Sequence, residues 1–164
     1  IYQKLALPLK ERILLQDAAL SPQGIVDKHK ARIKAGEGSV IFGMDRFAEG
    51  VDLPGDYCTH VIITRIPFPT FHRPVDREKQ AWFKLRGLNP FFNLSLPMAS
   101  IRLIQSCGRL LRRETDQGRI TIMDKRLQVK QYGEMLLDHL PNYRVLRNID
   151  LTAQDNSGHK IGVN

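Results

Sequence analysis

Cysteine is scarce: only Cys58 and Cys107 occur in 164 residues, and neither sits in a zinc-ligand spacing. That excludes a zinc ribbon, a disulfide-built secreted scaffold, and an iron–sulfur cluster held by this chain alone. No apolar run approaches the roughly 18 residues that a membrane-spanning helix requires, and the first residues carry no signal-peptide pattern. The expected setting is the reducing cytoplasm, with no membrane partner. None of the 12 glycines is followed by lysine, so the chain has no Walker A phosphate loop. Gly36-Glu37-Gly38 leads to Ile41 where a dinucleotide fingerprint needs glycine. Internal repeats and low-complexity segments are also absent.

Positive charge is in surplus. Lys and Arg number 25 against 17 Asp and Glu, a formal net charge of +8 at pH 7. Between Arg102 and Lys130, eight basic residues face three acidic ones, so these 29 residues hold +5 of the +8. Clustered positive charge points to a polyanion, either nucleic acid or nucleotide phosphate. A solvated basic face is the plain alternative. At about 100–200 residues per domain, the length predicts one domain large enough to bury its own core.

Short runs rich in Ile and Val fall at residues 12–16 (RILLQ), 39–44 (SVIFGM), 59–65 (THVIITR) and 119–124 (RITIMD). Continuous apolar runs of this length fit strands buried on both faces of a parallel sheet. Helical patterns occupy residues 23–35, 75–86, 97–114 and 128–140, and the alternation predicts an α/β domain over residues 1–150. Residues 66–97 form a long, irregular insertion with five prolines and several aromatics, of a size that is usually functional. Residues 1–9 read as the end of a helix with no strand before it, and residues 151–164 as a polar tail.

The helical pattern from Pro97 carries most of the chemistry. Proline is favoured in a first helical turn. At 100° per residue, Ile101, Ile104, Cys107, Gly108 and Leu111 share one side, flanked by Leu103 and Leu110. Gln105, Arg109 and Arg112 follow i, i+4, i+7 and share a polar stripe, with Arg102 one turn earlier. An amide and several guanidiniums on one stripe make a cradle for phosphate oxygens; an arginine-rich surface helix would look the same. Residues 47–55 (FAEGVDLPG) follow a buried strand and set Glu49 and Asp52 around Gly50. Loops at the C-terminal edge of a parallel sheet are where α/β domains bind ligands. Asp52 could accept ribose hydroxyls or orient a magnesium-bound water, or both acids could cap the turn.

Taken together, FAEGVDLPG and the later Gln105-Ser106-Cys107-Gly108-Arg109-Leu110-Leu111-Arg112 resemble motifs V and VI of superfamily 2 helicases. The detailed likeness is to the DinG/XPD branch, the iron–sulfur DNA helicases. Leu14-Leu15-Gln16, Gly38-Ser39-Val40, Ile66-Pro67-Phe68-Pro69, Gly118 with residues 120–124, Lys125-Arg126-Leu127 and Tyr132-Gly133 fit it too, over roughly residues 10–142. The resemblance implies a RecA-like second motor domain, a mostly parallel sheet flanked by helices, lacking the Walker A loop and the first strand. It implies that ATP and Mg²⁺ are bound mainly by a first motor domain, which would also carry the [4Fe–4S] cluster. Arg109 and Arg112 would then be arginine fingers on the γ-phosphate. Gln105 and Gly108 would lie at the nucleotide, and Glu49, Gly50 and Asp52 would couple it to the DNA track. Arg46, Arg65, Arg73 and Arg102 are the expected DNA contacts, although Arg46 stands where the family more often has a small hydroxyl residue.

On this reading the chain alone hydrolyses no ATP, single-stranded DNA is its track, and repair or replication conflict in a bacterial nucleoid its context. A missing central strand would leave unpaired edges and favour self-association. The rival reading is a non-catalytic nucleic-acid-binding α/β module that kept the fold without the motor. Trp82 and Phe83, interleaved with Arg77, Lys79, Lys84 and Arg86, are either core of a small subdomain or a platform for stacking bases. His29, His60, His139 and His159 have no ligand spacing and read as structural or surface residues; Cys107 reads as core.

Overall fold

The computed structural model describes residues 6–16, 20–44, 51–110 and 117–146. They divide between two compact units, Ile1–Val61 with Gln105–Arg119, and Ile62–Ile104 with Ile120–Asn164. The first unit begins with α1 (Leu7–Arg12), β1 (Ile13–Leu15), α2 (Pro22–Lys34) and β2 (Val40–Phe42), followed by a 3₁₀ turn at Gly55–Tyr57. β1 and β2 pair in parallel, Ile13 opposite Val40, Leu14 opposite Ile41 and Leu15 opposite Phe42. Parallel neighbours need a crossover, and α2 supplies it.

The ends of α2 follow from its sequence. Ser21 caps the N-terminus, its hydroxyl accepting from the Gly24 N–H at 3.1 Å, and Pro22 starts the first turn. At the other end, the Gly36 N–H bonds the Ile33 carbonyl and the Glu37 N–H bonds the Arg32 carbonyl. This closing motif needs a left-handed residue, and Gly36 provides it at φ 76°. Ile25, Val26 and His29 are the buried face of α2. Leu14, Ile25 and Val26 form a core against which Ile41, Val51 and Leu53 pack.

The remaining elements are β3 (His60–Ile63), α3 (Pro74–Leu85), a π-helical turn at Phe91–Ser95, α4 (Leu96–Cys107), β4 (Arg119–Ile122), α5 (Arg126–Val129) and α6 (Tyr132–Asp138). β3 and β4 form a second two-stranded sheet. The Arg119 N–H bonds the Thr59 carbonyl and the Met123 N–H bonds the Ile63 carbonyl, both sixty positions apart. A constant offset is the signature of a parallel ladder. All four expected strands are therefore present. Residues 66–97 are less irregular than their prolines imply: they contain α3 and the π turn that feeds α4.

Three helical expectations need correction. The helix expected to reach residue 114 ends at Cys107. Its buried side is Leu96, Ala99, Leu103 and Cys107, whereas Ile101, expected on the apolar side, is 57% exposed. The i, i+4 spacing of Ala99, Leu103 and Cys107 sets the buried stripe, and Ile101 falls well off it. The helix expected at 128–140 is two helices, broken at Lys130, whose backbone is extended. At the break Gly133 lies so close to the Leu127 carbonyl oxygen that a side chain there would collide with it.

In the second unit, an ion pair and an aromatic cluster dominate. Both Asp124 carboxylate oxygens are bonded, by the Ile66 N–H at 2.8 Å, the Arg126 N–H at 3.0 Å, and Arg126 Nη2 at 2.6 Å. The Arg126 side-chain bonds hold the Asp124 carboxyl well below the usual carboxylate range. Arg126 also lies 5.0 Å from the centre of the Phe68 ring, which contacts Phe91 and Tyr132. No helix among the described residues is long and apolar enough to cross a membrane.

Candidate functional site

Two stretches of the first unit meet. One is residues 51–53, where burial alternates: Val51 and Leu53 are half-buried and pack on the core, while Asp52 between them is exposed. With both apolar neighbours packed on the core, Asp52 is left on the outer side. The other is the end of α4. Beyond Cys107 the chain tightens, with the Arg109 N–H on the Ser106 carbonyl and the Leu110 N–H on the Cys107 carbonyl. These are i to i−3 bonds, the usual way a last helical turn satisfies its carbonyls. From there Arg109 Nη1 donates to the Val51 carbonyl oxygen at 3.2 Å.

Packing holds this turn in place. Leu110 is 2% exposed. Its side chain lies over Gly118, where a Cβ would stand 2.6 Å from both Leu110 Cδ1 and the Thr59 carbonyl oxygen. Only glycine permits that approach. Cys107, fully buried one turn before, is core as expected, and burial pushes its thiol up to about 11. With Cys58 half-buried, the two thiols do not fit a four-thiolate iron–sulfur cluster. Among the described residues no three His, Cys, Asp or Glu side chains converge as a metal site.

The other expected site residues are placed unevenly. Gln105 is exposed on α4, and Gly108 is half-buried in the turn that follows. Because α-helical geometry stops at Cys107, Gln105 and Arg109 do not share a continuous α-helical stripe. Arg112, Glu49, Gly50 and Arg46 lie outside the described residues. Arg65, exposed after β3, Arg102, half-buried on α4, and Arg73, at the start of α3, belong to the second unit. The Arg73 guanidinium is engaged by Asp76, with Nε to Oδ2 at 3.0 Å and Nη2 to Oδ1 at 3.1 Å. Trp82 is not core: it is 46% exposed, with the Arg86 guanidinium 3.9 Å from its ring centre and Phe83 edge-on at 5.0 Å.

Gln16 and His29 were named in the sequence, but not the bonds by which they tie down this region. Gln16 Oε1 accepts from the Met44 N–H at 2.8 Å. His29, 5% exposed, places Nδ1 2.9 Å from Ser39 Oγ and Nε2 2.8 Å from the Tyr57 carbonyl oxygen. The available signal was spacing: His29 stands four residues after Ile25, on the apolar face of α2.

Comparison with known proteins gives the family. Residues 1–143 match the model of the helicase C-terminal domain. The chain belongs to this family. It is 45% identical over 117 residues to the ATP-dependent DNA helicase DinG of Photobacterium profundum, covering 71% of this chain and 17% of that protein. The DinG helicase of Escherichia coli K12 is 44% identical over 121 residues, 74% of this chain and 17% of the relative. The Salmonella typhimurium DinG is 43% identical over the same length and shares. The chain thus spans about a sixth of the curated relatives it matches. It is a DinG/XPD-type helicase C-terminal domain with a RecA-like α/β fold.

Proposed function

We propose that this chain is the second motor domain of an ATP-dependent DNA helicase, completing an ATP site whose other wall is a first motor domain. Arg109 and Arg112 act there as arginine fingers, with Gln105 and Gly108 beside the nucleotide. Glu49, Gly50 and Asp52 couple the nucleotide to single-stranded DNA, which Arg46, Arg65, Arg73 and Arg102 help to hold. ATP and Mg²⁺ are bound mainly by the first domain, and any [4Fe–4S] cluster belongs to the parent protein. The isolated chain is inactive and self-associates. The parent works in the bacterial cytoplasm, at the nucleoid.

The observation that supports this reading is the Arg109 to Val51 hydrogen bond. In phosphoryl transfer, charge spreads over the equatorial phosphate oxygens, and a guanidinium donates to them in the transition state. An arginine that also donates to the backbone beside Asp52 moves that segment whenever it moves toward or away from phosphate. One side chain then senses hydrolysis and transmits it.

The test is made in the intact helicase. Arg109→Ala or Arg112→Ala should lower DNA-stimulated ATP turnover by about 10³–10⁵ while ATP and DNA binding persist. Lysine should rescue poorly, because a point charge cannot replace a planar fork. Arg113→Ala, which removes the same charge from a neighbouring arginine with no assigned contact, serves as the control. Near-normal turnover in both alanine variants would overturn the assignment. Loss of DNA affinity in proportion to charge would put the non-catalytic binding module in its place.

A further inference from the structure

Residues 43–54, the stretch containing motif V, are bracketed by one buried imidazole. Ser39 immediately precedes β2, which leads into that stretch, and Tyr57 closes the 3₁₀ turn that leaves it. His29 Nδ1 meets the Ser39 hydroxyl at 2.9 Å, and Nε2 meets the Tyr57 carbonyl oxygen at 2.8 Å. A carbonyl only accepts, so Nε2 carries a proton and donates it. Ten positions separate His29 from one partner and 28 from the other. The ring therefore ties together two points 18 positions apart in the sequence.

Stability alone is a weak reason for this arrangement. The rest of the buried face of α2 is Ile25 and Val26, and an apolar residue at position 29 would continue it without desolvating an imidazole. A buried polar group with both nitrogens engaged selects one geometry over its neighbours. Two further side chains act on the same stretch, Gln16 on the Met44 N–H and Arg109 on the Val51 carbonyl. The Lys30 ammonium lies 5.6 Å from the Tyr57 ring centre and adds weight at the exit.

We propose that His29 is a positioning residue of the motor, a two-armed clasp from α2 that sets the geometry of motif V by holding Ser39 and Tyr57. The proposal rests on the helicase reading above. It assigns His29 no contact with nucleotide or DNA.

The experiment uses the intact helicase, below the melting temperature of every variant. Gln can carry an amide N–H to the place of Nε2, whereas Leu fills the space without either bond. His29→Leu should lower DNA-stimulated kcat about ten- to a hundredfold while KM for ATP moves no more than about twofold. His29→Gln, keeping the bond to Tyr57, should recover most of that loss. A merely structural histidine would give a lower melting temperature with kcat per folded molecule unchanged, and that result overturns the proposal. Equal impairment of kcat in the Leu and Gln variants overturns it as well. If the unmodified protein shows no DNA-stimulated ATPase, the helicase reading itself fails; normal stimulation that is indifferent to residue 29 defeats only the clasp.

Discussion

Among the described residues, the two units of this chain lean on different kinds of bond. In the first, three side chains reach across sequence to main-chain groups: Gln16 to Met44, His29 to Tyr57, and Arg109 to Val51, at separations of 28, 28 and 58 positions. In the second, charged side chains pair with near neighbours, Arg73 with Asp76 and Arg126 with Asp124, and an aromatic cluster surrounds Phe68. Side chain to main chain bonds shape a backbone; short-range ion pairs and ring contacts fasten one element to the next. The first kind gathers around residues 51–57 and the turn that ends α4, where the proposed motor needs a defined backbone. The second builds scaffold.

Matched arginine variants break this comparison most directly. In the intact helicase, Arg109→Ala should lower DNA-stimulated turnover by about a thousandfold or more, with little change in the thermal midpoint. Arg126→Ala should do the reverse. It takes the guanidinium from the Asp124 carboxylate, whose side chain is 7% exposed, leaving it two backbone N–H donors, and should lower stability by about 1–3 kcal/mol while turnover per folded molecule stays near normal. Steady-state ATPase and differential scanning calorimetry on both variants decide it. If Arg126→Ala abolishes turnover in folded protein, the division between motor and scaffold is wrong.

How far the chain could be read in advance follows the same division. The strands announced themselves as Ile- and Val-rich runs, and the caps of α2 as Ser21-Pro22 and Gly36, because those signals lie within a few residues. The family that residues 1–143 match was legible in the residue types and spacing of residues 47–55 and 105–112. Their geometry was not. The expected Gln105, Arg109 and Arg112 stripe assumed helix to residue 114, but the chain leaves the α-helix at Cys107. Leu110 there packs on Gly118, a contact that local periodicity does not encode. Likewise nothing local in Lys28-His29-Lys30 reveals a partner 28 positions away. The scaffold unit also has a long-range bond to a side chain, the Ile66 N–H to Asp124 across 58 positions, and it was equally silent.

Acid sharpens the contrast next. Arg126 hydrogen bonds hold the Asp124 carboxyl below its ordinary value of about 4. A carboxylate whose folded value is depressed contributes stability that is complete above its unfolded value and lost as pH falls through its folded value. The thermal midpoint should therefore decline below about pH 4, and Asp124→Asn should be less stable at pH 7 and flatter over the acid range. Melting curves between pH 7 and pH 2 test this. An Asn variant that keeps the full acid dependence would remove Asp124 from the account.

Gly118→Ala probes the motor side by packing alone. A methyl group there meets the Leu110 side chain and the Thr59 carbonyl oxygen, and overpacking of this kind costs about 1–3 kcal/mol. Relief by movement of Leu110 would displace Arg109 next to it. Turnover should thus fall further than stability explains, which ATPase measured well below the melting point will show. Equal turnover in folded Gly118→Ala would mean that the α4 turn tolerates displacement.

The smallest effect is expected where a tether is both local and remote from chemistry. Ser21 Oγ caps α2 by accepting from the Gly24 N–H, three residues on. Its removal in Ser21→Ala should cost about 1 kcal/mol, and Ser21→Gly only a few tenths, since glycine leaves water free to solvate the N–H groups. The same helix carries His29, so the cap variant asks whether weakening α2 as a whole disturbs motif V or whether only the clasp does. Turnover should stay at the unmodified level in folded Ser21→Ala, in contrast to His29→Leu. A parallel fall in both variants, scaled to their loss of stability, would show that motif V reads the stability of α2 rather than the two hydrogen bonds of one ring.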